Sequence, residues 1–325
     1  MKIFVTGANG LVGSFVVKLL LEQGFLPVLL LRKNSNYSLI EDVISGCEIA
    51  EGDILDELYL EQCLANVDIV IHCAGFVSFN PSKNKEIFDV NVQGTTNIVN
   101  ASIRCKVKKL IHVSSISALG RNELNTTYNE ESKWEDSKLN SSYAKSKYLA
   151  ELEVFRGGEE GLDFSIVSPS VIIGPGDPSK SSTRLITVIK KIKYLFPPGH
   201  INIVDVRDVA RVICSLITIS HKEKIVLNSG SITYKQFYEI VLEDKVLKTS
   251  LILMPAWIMK MIAFFDRIKR IFAGGEPFIT RENLRFIGKD FSYSSLYYHQ
   301  LFKQELISPE VSIRNAVHLL GPGSK

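Results

Sequence analysis

No uncharged apolar run in this 325-residue chain reaches the ~20 residues that a helix needs to cross a bilayer. The most hydrophobic late segment, Leu251 to Phe272, is interrupted by Lys260, Asp266, Arg267, Lys269 and Arg270. It reads as a helix packed in a domain, with a place on a membrane surface as the alternative. Charge of one sign is also missing. The chain has 38 Lys and Arg against 35 Asp and Glu, a net +3, too little to point to nucleic acid or an anionic membrane. Basic runs such as Lys106-Val107-Lys108-Lys109 read as solvated helix ends. Cysteine is sparse and unpatterned. Cys47, Cys63, Cys73, Cys105 and Cys214 are odd in number, have no C-x-x-C spacing and mostly sit in apolar stretches. They read as reduced core thiols of a cytoplasmic protein, not as a disulfide frame or a metal site. A strand starting at Lys2 leaves no room for a cleavable leader, so none is expected. There are no internal repeats, low-complexity tracts or long linkers.

What remains is an ordinary globular composition, 46% hydrophobic and 22% charged. A chain of this length buries roughly three quarters of its unfolded surface and needs no staples. Its first half alternates. Strands are expected at Lys2–Thr6, Pro27–Leu31, Glu48–Glu51, Asp68–His72, Lys109–Ser114 and Asp163–Val167. Helices are expected at Leu11–Gln23, Asp56–Ala65, Lys83–Cys105 and Tyr143–Phe155. Short apolar strands separated by helices require right-handed crossovers and a parallel sheet covered on both faces. The fold class is therefore α/β, a doubly wound parallel sheet of Rossmann type.

After Ser168 the prolines at 169, 175, 178, 197 and 198 loosen the rhythm around one helix, Ser182–Tyr194. Ile201–Val204 and Ile225–Leu227 read as strands flanking a helix at Arg207–Ile219. Residues from Thr233 onward read as mostly helical. The expected division is a nucleotide-binding domain over 1–169, to which 201–229 returns. A smaller, mostly helical substrate lobe is expected from 170–200 and 230–325.

Between the first strand and helix lies Gly7-Ala8-Asn9-Gly10-Leu11-Val12-Gly13. Glycines there let the backbone approach a pyrophosphate, which then sits on the helix N-terminus. The spacing is G-x-x-G-x-x-G, and the flanking strand and helix make the dinucleotide reading strong. An acid after strand two would bind a ribose 2′-hydroxyl and favour NAD(H). This chain has Arg32-Lys33-Asn34-Ser35 instead, suited to a 2′-phosphate, so NADP(H) is favoured over NAD(H).

Tyr143 is followed at i+4 by Lys147, on one helix face, and no other tyrosine in the chain has a lysine there. The cation is expected to favour the phenolate of a side chain whose free pKa is near ~10. Tyr143 would then take a proton in oxidation or give one in reduction. Ser115, after Val113-Ser114 at the end of strand five, supplies a hydroxyl where such a sheet opens its crevice. His72 and His112 lie on strands amid apolar neighbours and read as sheet residues, not metal ligands.

These motifs resemble the extended short-chain dehydrogenase/reductases, a family that includes sugar epimerases, dihydroflavonol reductases and 3β-hydroxysteroid dehydrogenases. The resemblance covers residues 2 to about 230. Thr6 to Gly13 meets the family's T-G-x-x-G-x-x-G. By resemblance, Asp53 and Ile54 lie at the adenine, Cys73-Ala74-Gly75 near the nicotinamide ribose, and Asn91 is the asparagine of the fourth helix. Ser115, Tyr143 and Lys147 match the catalytic serine, tyrosine and lysine, with Lys147 also on the nicotinamide ribose and Val113 beside the cofactor. Pro169-Ser170-Val171 opens the segment that closes over the nicotinamide. Val204 to Ala210 resembles the strand-to-helix turn of the second lobe, where Asp205 and Asp208 read as structural. The resemblance also implies a homodimer through the helices at 83–105 and 143–157.

Within the family, Ser168 stands where many sugar-nucleotide enzymes carry arginine. That and Arg32 fit the dihydroflavonol-reductase-like branch, and Thr183 lies where a hydroxyl of that branch reaches the cofactor phosphate. The favoured expectation is an NADP-dependent oxidoreductase acting on a carbonyl or alcohol of a small molecule. The first alternative is a nucleotide-sugar epimerase or dehydratase, to which Arg184, Lys190, Lys191 and Arg281 would lend charge. The second is a cofactor-binding sensor without turnover. Trp134, Tyr128 and Phe79 are candidates to line an apolar pocket.

Overall fold

Side chains that are β-branched, aliphatic or aromatic make Ile3–Thr6 (β1) a strand buried on both faces. It leads into Leu11–Glu22 (α1), then Val28–Leu31 (β2), Glu48–Glu51 (β3), Glu57–Leu64 (α2) and Ile69–His72 (β4). Asn84–Phe88 (α3) and Gly94–Arg104 (α4) follow, joined by a π turn over Asp89–Gln93. Next come Lys109–Val113 (β5), Thr127–Tyr128 (β6), Ser142–Glu159 (α5), Phe164–Pro169 (β7) and Val171–Ile173 (β8). Ser181–Ile192 (α6), Leu195–Phe196 (β9), His200–Asp205 (β10), Val206–Ser215 (α7), Lys224–Leu227 (β11) and Gly230–Thr233 (β12) continue the chain. Tyr234–Leu242 (α8), Ile252–Leu253 (β13), Ala256–Ala273 (α9), Ser292–Tyr293 (β14), Leu296–Leu301 (α10) and Pro309–Leu319 (α11) complete it. This computed structural model describes residues 1–178, 181–219, 223–243, 250–273, 284–285 and 288–320.

The main sheet has seven strands in the order β3-β2-β1-β4-β5-β7-β11, every neighbouring pair parallel. One apolar layer packs α1 and α7 on it, through Val16, Val17 and Leu20 beside Val209 and Ile213. The opposite layer packs α2, α4 and α5, through Leu60, Ile98 and Val154. The doubly wound architecture expected from the alternation is thus present. The strand order reverses between β1 and β4, and ligand crevices open at such points, at the carboxyl ends of the strands.

The helix expected over 83–105 runs from Asn84 to Arg104 with a π turn inside it. Thr95 and Thr96 donate their hydroxyls to the carbonyls of Asn91 and Val92 at 2.6 and 3.0 Å. Such bonding within a helix accompanies local distortion. Lys109 begins β5, as the expected strand has it, but it is not solvated as the basic-run reading has it. It is buried and donates Nζ to the Ile219 carbonyl at 2.5 Å.

A second, smaller sheet follows the order β12-β10-β8 and is covered by α6, α8 and α11 around Ile186, Phe237 and Ile313. The 201–229 segment is shared between the two sheets. Its strand β10 pairs with β8 and β12, α7 lies on α1, and β11 closes the main sheet beside β7. Among the described residues no helix is long and apolar enough to cross a membrane.

Candidate active site

At the carboxyl end of β1 the chain turns back within three residues. Gly7 has φ +66°, and Gly10 donates its N–H to the Gly7 carbonyl at 3.0 Å. A Cβ on Gly7 would lie 2.6 Å from Ala74 N, and one on Gly13 would lie 2.1 Å from Gly7 O. Only glycine permits these approaches. Gly10 is the N-cap of α1 and has no side chain to occupy the helix end. The N–H groups that open α1 therefore face the crevice with the positive end of the helix dipole. Asn9 bonds the Asn36 carbonyl at 2.9 Å, tying this turn to the loop after β2. Leu11 and Val12 begin the helix. Arg32 and Lys33 follow β2 and are both exposed.

Asp53 and Ile54 follow β3. The Asp53 carboxylate accepts from Leu55 N at 3.0 Å, while the cap of α2 is Asp56. Ile54 offers its carbonyl to Asn97 Nδ2 at 3.0 Å. Cys73, Ala74 and Gly75 follow β4. Burial pushes the Cys73 thiol up to about 12, so it is no thiolate nucleophile at neutral pH. Asn91, on the π turn, is buried and bonds both backbone groups of Phe76.

Ser115 follows β5 and accepts from Ser117 N at 3.1 Å. Its hydroxyl also lies close enough to the Tyr143 hydroxyl to lower that group's pKa. Tyr143 and Lys147 share a face of α5, whose cap is Ser141, accepting from Ala144 N at 3.0 Å. Lys147 Nζ donates to the Val113 carbonyl at 2.8 Å.

The electrostatics correct one expectation. Tyr143 is not drawn toward phenolate in this structure: burial raises its pKa, against a smaller lowering by the nearby Ser115 hydroxyl. The ammonium expected to stabilise the phenolate is turned to Val113, and its own pKa falls to about 8 through burial, with Glu151 opposing the fall. Tyr143 is therefore a protonated acid, and Lys147 remains mostly charged at pH 7.

Glu151 extends the same face one turn further. It is 1% exposed, pairs with Lys224 at 2.5 Å and accepts from Ser168 Oγ at 3.2 Å. His72 lies beneath, its ring bonded to Thr6 Oγ1 at 2.7 Å and Thr95 Oγ1 at 3.0 Å. Burial lowers it to about 3, and His112 beside it also lies well below the ordinary range. Both are uncharged sheet residues. Among the described residues no cluster of His, Cys, Asp or Glu could hold a metal ion.

Pro169 ends β7, Ser170 donates its N–H to Leu227 at 2.9 Å, and Val171 begins β8. The Ser170 hydroxyl is buried without a partner. The predicted loop residues thus follow six strands of one sheet at their carboxyl ends, with Asn91 on the π turn and Tyr143 and Lys147 on α5. A cleft of about 200 Å³ adjoins them, lined by Phe79, Leu139, Val171, Tyr234, Arg121 and Lys289 among others. Phe79 also meets Tyr143 edge-on, with ring centroids 6.3 Å apart.

Other candidates lie elsewhere. Trp134 stacks on Tyr148 at 4.5 Å, and Tyr128 is core, stacked on Tyr293. Thr183 is buried with its hydroxyl toward the Gly174 carbonyl at 3.4 Å. Asp205 caps α7, and Asp208 binds Arg211 and Ile307 N. Arg184, Lys190 and Lys191 lie on α6 and do not line the cleft, and Arg281 is outside the described residues. Sequence reading missed Ser146, Glu151, Arg121 and Lys289. For the first two a signal existed, since they stand at i+3 and i+8 from Tyr143.

A model of the NAD dependent epimerase/dehydratase family matches residues 3–228. Over 214 residues the chain is 31% identical to a protein named sterol demethylase protein B from Methylococcus capsulatus, covering 65% of this chain. The match spans 64% of that relative, just under two thirds of its length. A putative dihydroflavonol 4-reductase from Synechocystis is 25% identical over 324 residues, 97% of this chain and 92% of its own. The solved structure of gox2253 superposes with a TM-score of 0.80 at 28% identity, covering 98% of this chain and 97% of that one.

Proposed function

From the premise that the chain belongs to the NAD dependent epimerase/dehydratase family, NAD(P)-dependent enzymes of the extended short-chain dehydrogenase/reductase type, we propose that it is an NADPH-dependent reductase. Its substrate would be a carbonyl compound small enough for the cleft. The observation that carries this reading is the protonated, half-buried Tyr143, with the Ser115 hydroxyl close by, beside that cleft. The name of the Synechocystis relative, which aligns over nearly the whole chain, supports it.

The residues present fit a dinucleotide. The glycine cradle leaves no room for a Cβ, the α1 terminus is uncapped, and the Ser170 hydroxyl is orphaned at the far end of the crevice. The turn over Gly7, Asn9, Gly10, Leu11, Val12 and Gly13 would hold the pyrophosphate. Asp53 and Ile54 would border the adenine. Cys73, Ala74, Gly75, Asn91, Val113, Lys147 and Pro169-Ser170-Val171 would border the nicotinamide half. Arg32 and Lys33 would pair with a 2′-phosphate, which is the basis for preferring NADP(H). When bound, the reduced nicotinamide supplies a hydride.

The chain supplies the proton and the geometry. Ser115 would donate to the carbonyl oxygen and fix it near Tyr143 Oη. Tyr143 would give its proton to that oxygen as negative charge develops, leaving a phenolate. Lys147, charged at pH 7 and on the same helix face, would stabilise that phenolate until solvent returns the proton. The lobe built from 170–200 and 230–325 would shape the substrate side. Leu152 and Phe155, 43 and 38% exposed on α5, would contribute to a homodimer with α3 and α4. Reduced cysteines fit a cytoplasmic setting.

Fluorescence titration with NADPH and NADH, followed by a carbonyl screen read at the nicotinamide absorbance, tests the proposal. Tighter NADPH binding with consumption on a ketone or aldehyde is expected. Tighter NADH binding would remove the NADP(H) reading. Tight binding with no net consumption on any carbonyl would favour an epimerase, for which Arg121 and Lys289 offer cleft cations.

A further inference from the structure

Trp257, Met261 and Phe264 stand at i, i+4 and i+7 on α9, with Phe265 beside them, so they share one helix face. Together with Ile252 and Leu253 of β13 they expose between 48 and 61% of their surfaces. Met259, at 2%, points the other way. The helix is thus anchored by one side and offers large apolar groups on the other. The domain-helix reading of Leu251 to Phe272 accounts only for the anchored side. A contiguous apolar surface of this size marks an interaction site.

Charge indicates what it meets. Segments 193–196 and 250–265, which hold β9, β13 and the aromatic stretch of α9, carry Lys193 and Lys260, with no Asp or Glu. β13 pairs with β9, and Ile252 N donates to the Tyr194 carbonyl at 2.7 Å. That pairing brings exposed Lys193 and Tyr194 against the apolar strip. Lys260 lies at i+3 from Trp257 and i−4 from Phe264, on the aromatic face itself. A second copy of the chain is a poor occupant. In a two-fold contact a face meets itself, so these cations would confront one another. A headgroup layer of negative charge over acyl chains matches both the aromatic stripe and its cationic border.

We propose that this face seats the protein on an anionic phospholipid bilayer, with α9 lying in the interfacial plane without crossing it. The small net charge of the whole chain does not oppose this, because the aromatic face from Trp257 to Phe265 carries Lys260 and no acid. The proposal stands independently of the catalytic reading.

Flotation of the full chain tests it, with vesicles of phosphatidylcholine alone and of phosphatidylcholine mixed with phosphatidylglycerol. Binding to the mixed vesicles is expected to be roughly tenfold tighter or more, and to weaken in high salt. Phe264→Glu and Trp257→Ala should each weaken it by about tenfold, with circular dichroism and melting temperature unchanged. Lys260→Glu should erase part of the anionic preference. Absence of flotation with either vesicle overturns the proposal. So does equal flotation with both that Lys260→Glu leaves unchanged. If the wild type does not float and Phe264→Glu turns a dimer into a monomer in sedimentation, the face belongs to a second copy.

Discussion

The Asn91 carboxamide closes both backbone groups of Phe76, accepting from its N–H at 2.7 Å and donating to its carbonyl at 3.0 Å. Its second N–H bonds Ser146 Oγ at 2.9 Å, and Ser146 donates in turn to the Tyr143 carbonyl at 2.8 Å. One buried side chain therefore couples the loop after β4 to the helix that carries Tyr143 and Lys147. Both its N–H donors and its carbonyl oxygen are engaged, which makes it expensive to replace. Asn91→Ala is expected to cost about 2–3 kcal/mol of stability, read by denaturant unfolding. It should also lower turnover and weaken cofactor binding together, because both sides of the crevice lose their common tie.

Removing the acid isolates its role. Tyr143→Phe keeps the ring against Phe79 but has no proton to give. Turnover should fall by about 10²–10⁴, while NADPH binding by fluorescence stays within a few fold of wild type. Ser115→Ala should lose less, since Tyr143 can still donate to an oxygen that is less well held. Unchanged turnover in Tyr143→Phe would require a different acid.

The pH dependence follows from Lys147. Its folded pKa, about 8, lies below the ordinary 10.5, so burial disfavours its charged form. Stability linked to this group is reduced below about pH 8 and recovers as pH rises from there toward 10.5. Lys147→Met should accordingly be more stable than wild type at pH 7, by about 1–2 kcal/mol after the lost Val113 bond, yet nearly inactive. Reductase activity should decline as pH rises through about 8, when Lys147 loses its charge.

Glu151 holds that limb in place, since its charge raises the Lys147 pKa. Glu151→Gln should move the alkaline decline to lower pH. It also leaves partly buried Lys224 without its partner, at a cost of about 2–3 kcal/mol. The double variant Glu151→Gln/Lys224→Met should regain much of that stability while keeping the shifted profile. A pH–rate profile unmoved in both variants would leave Glu151 with a purely structural role.

Backbone proximity makes Gly13 the least replaceable glycine of the turn. A methyl group there would sit 2.1 Å from Gly7 O, against backbone that cannot yield without opening the turn. Gly13→Ala should abolish measurable dinucleotide binding in the fluorescence titration. Gly161→Ala, with nothing within 4 Å of its Cβ but φ +99°, should cost only stability.

Much of this was legible because it is local. A short, largely apolar strand, a glycine turn and a helix mark a candidate phosphate site by spacing alone. The i+4 interval places Tyr143 and Lys147 on one helix face without knowledge of the rest. The direction of the Tyr143 shift was not legible, because it depends on burial and on where Lys147 Nζ finds its acceptor. Neither were the π turn at Asn91 or the burial of Lys109, each created by partners far along the chain, such as Phe76 and Ile219.

The chain by itself determined the alternation of strands and helices, hence the doubly wound sheet and the crevice at its carboxyl edge. It also determined the residue types delivered there. Periodicity and glycine placement are properties of adjacent residues, and adjacency is what a sequence records. Tertiary structure decided the protonation of Tyr143, the Phe76–Asn91–Ser146 tie, the Glu151–Lys224 pair and the exposure of the α9 aromatic face. Those depend on desolvation and on contacts between residues tens of positions apart, which only the folded chain brings within a few ångströms.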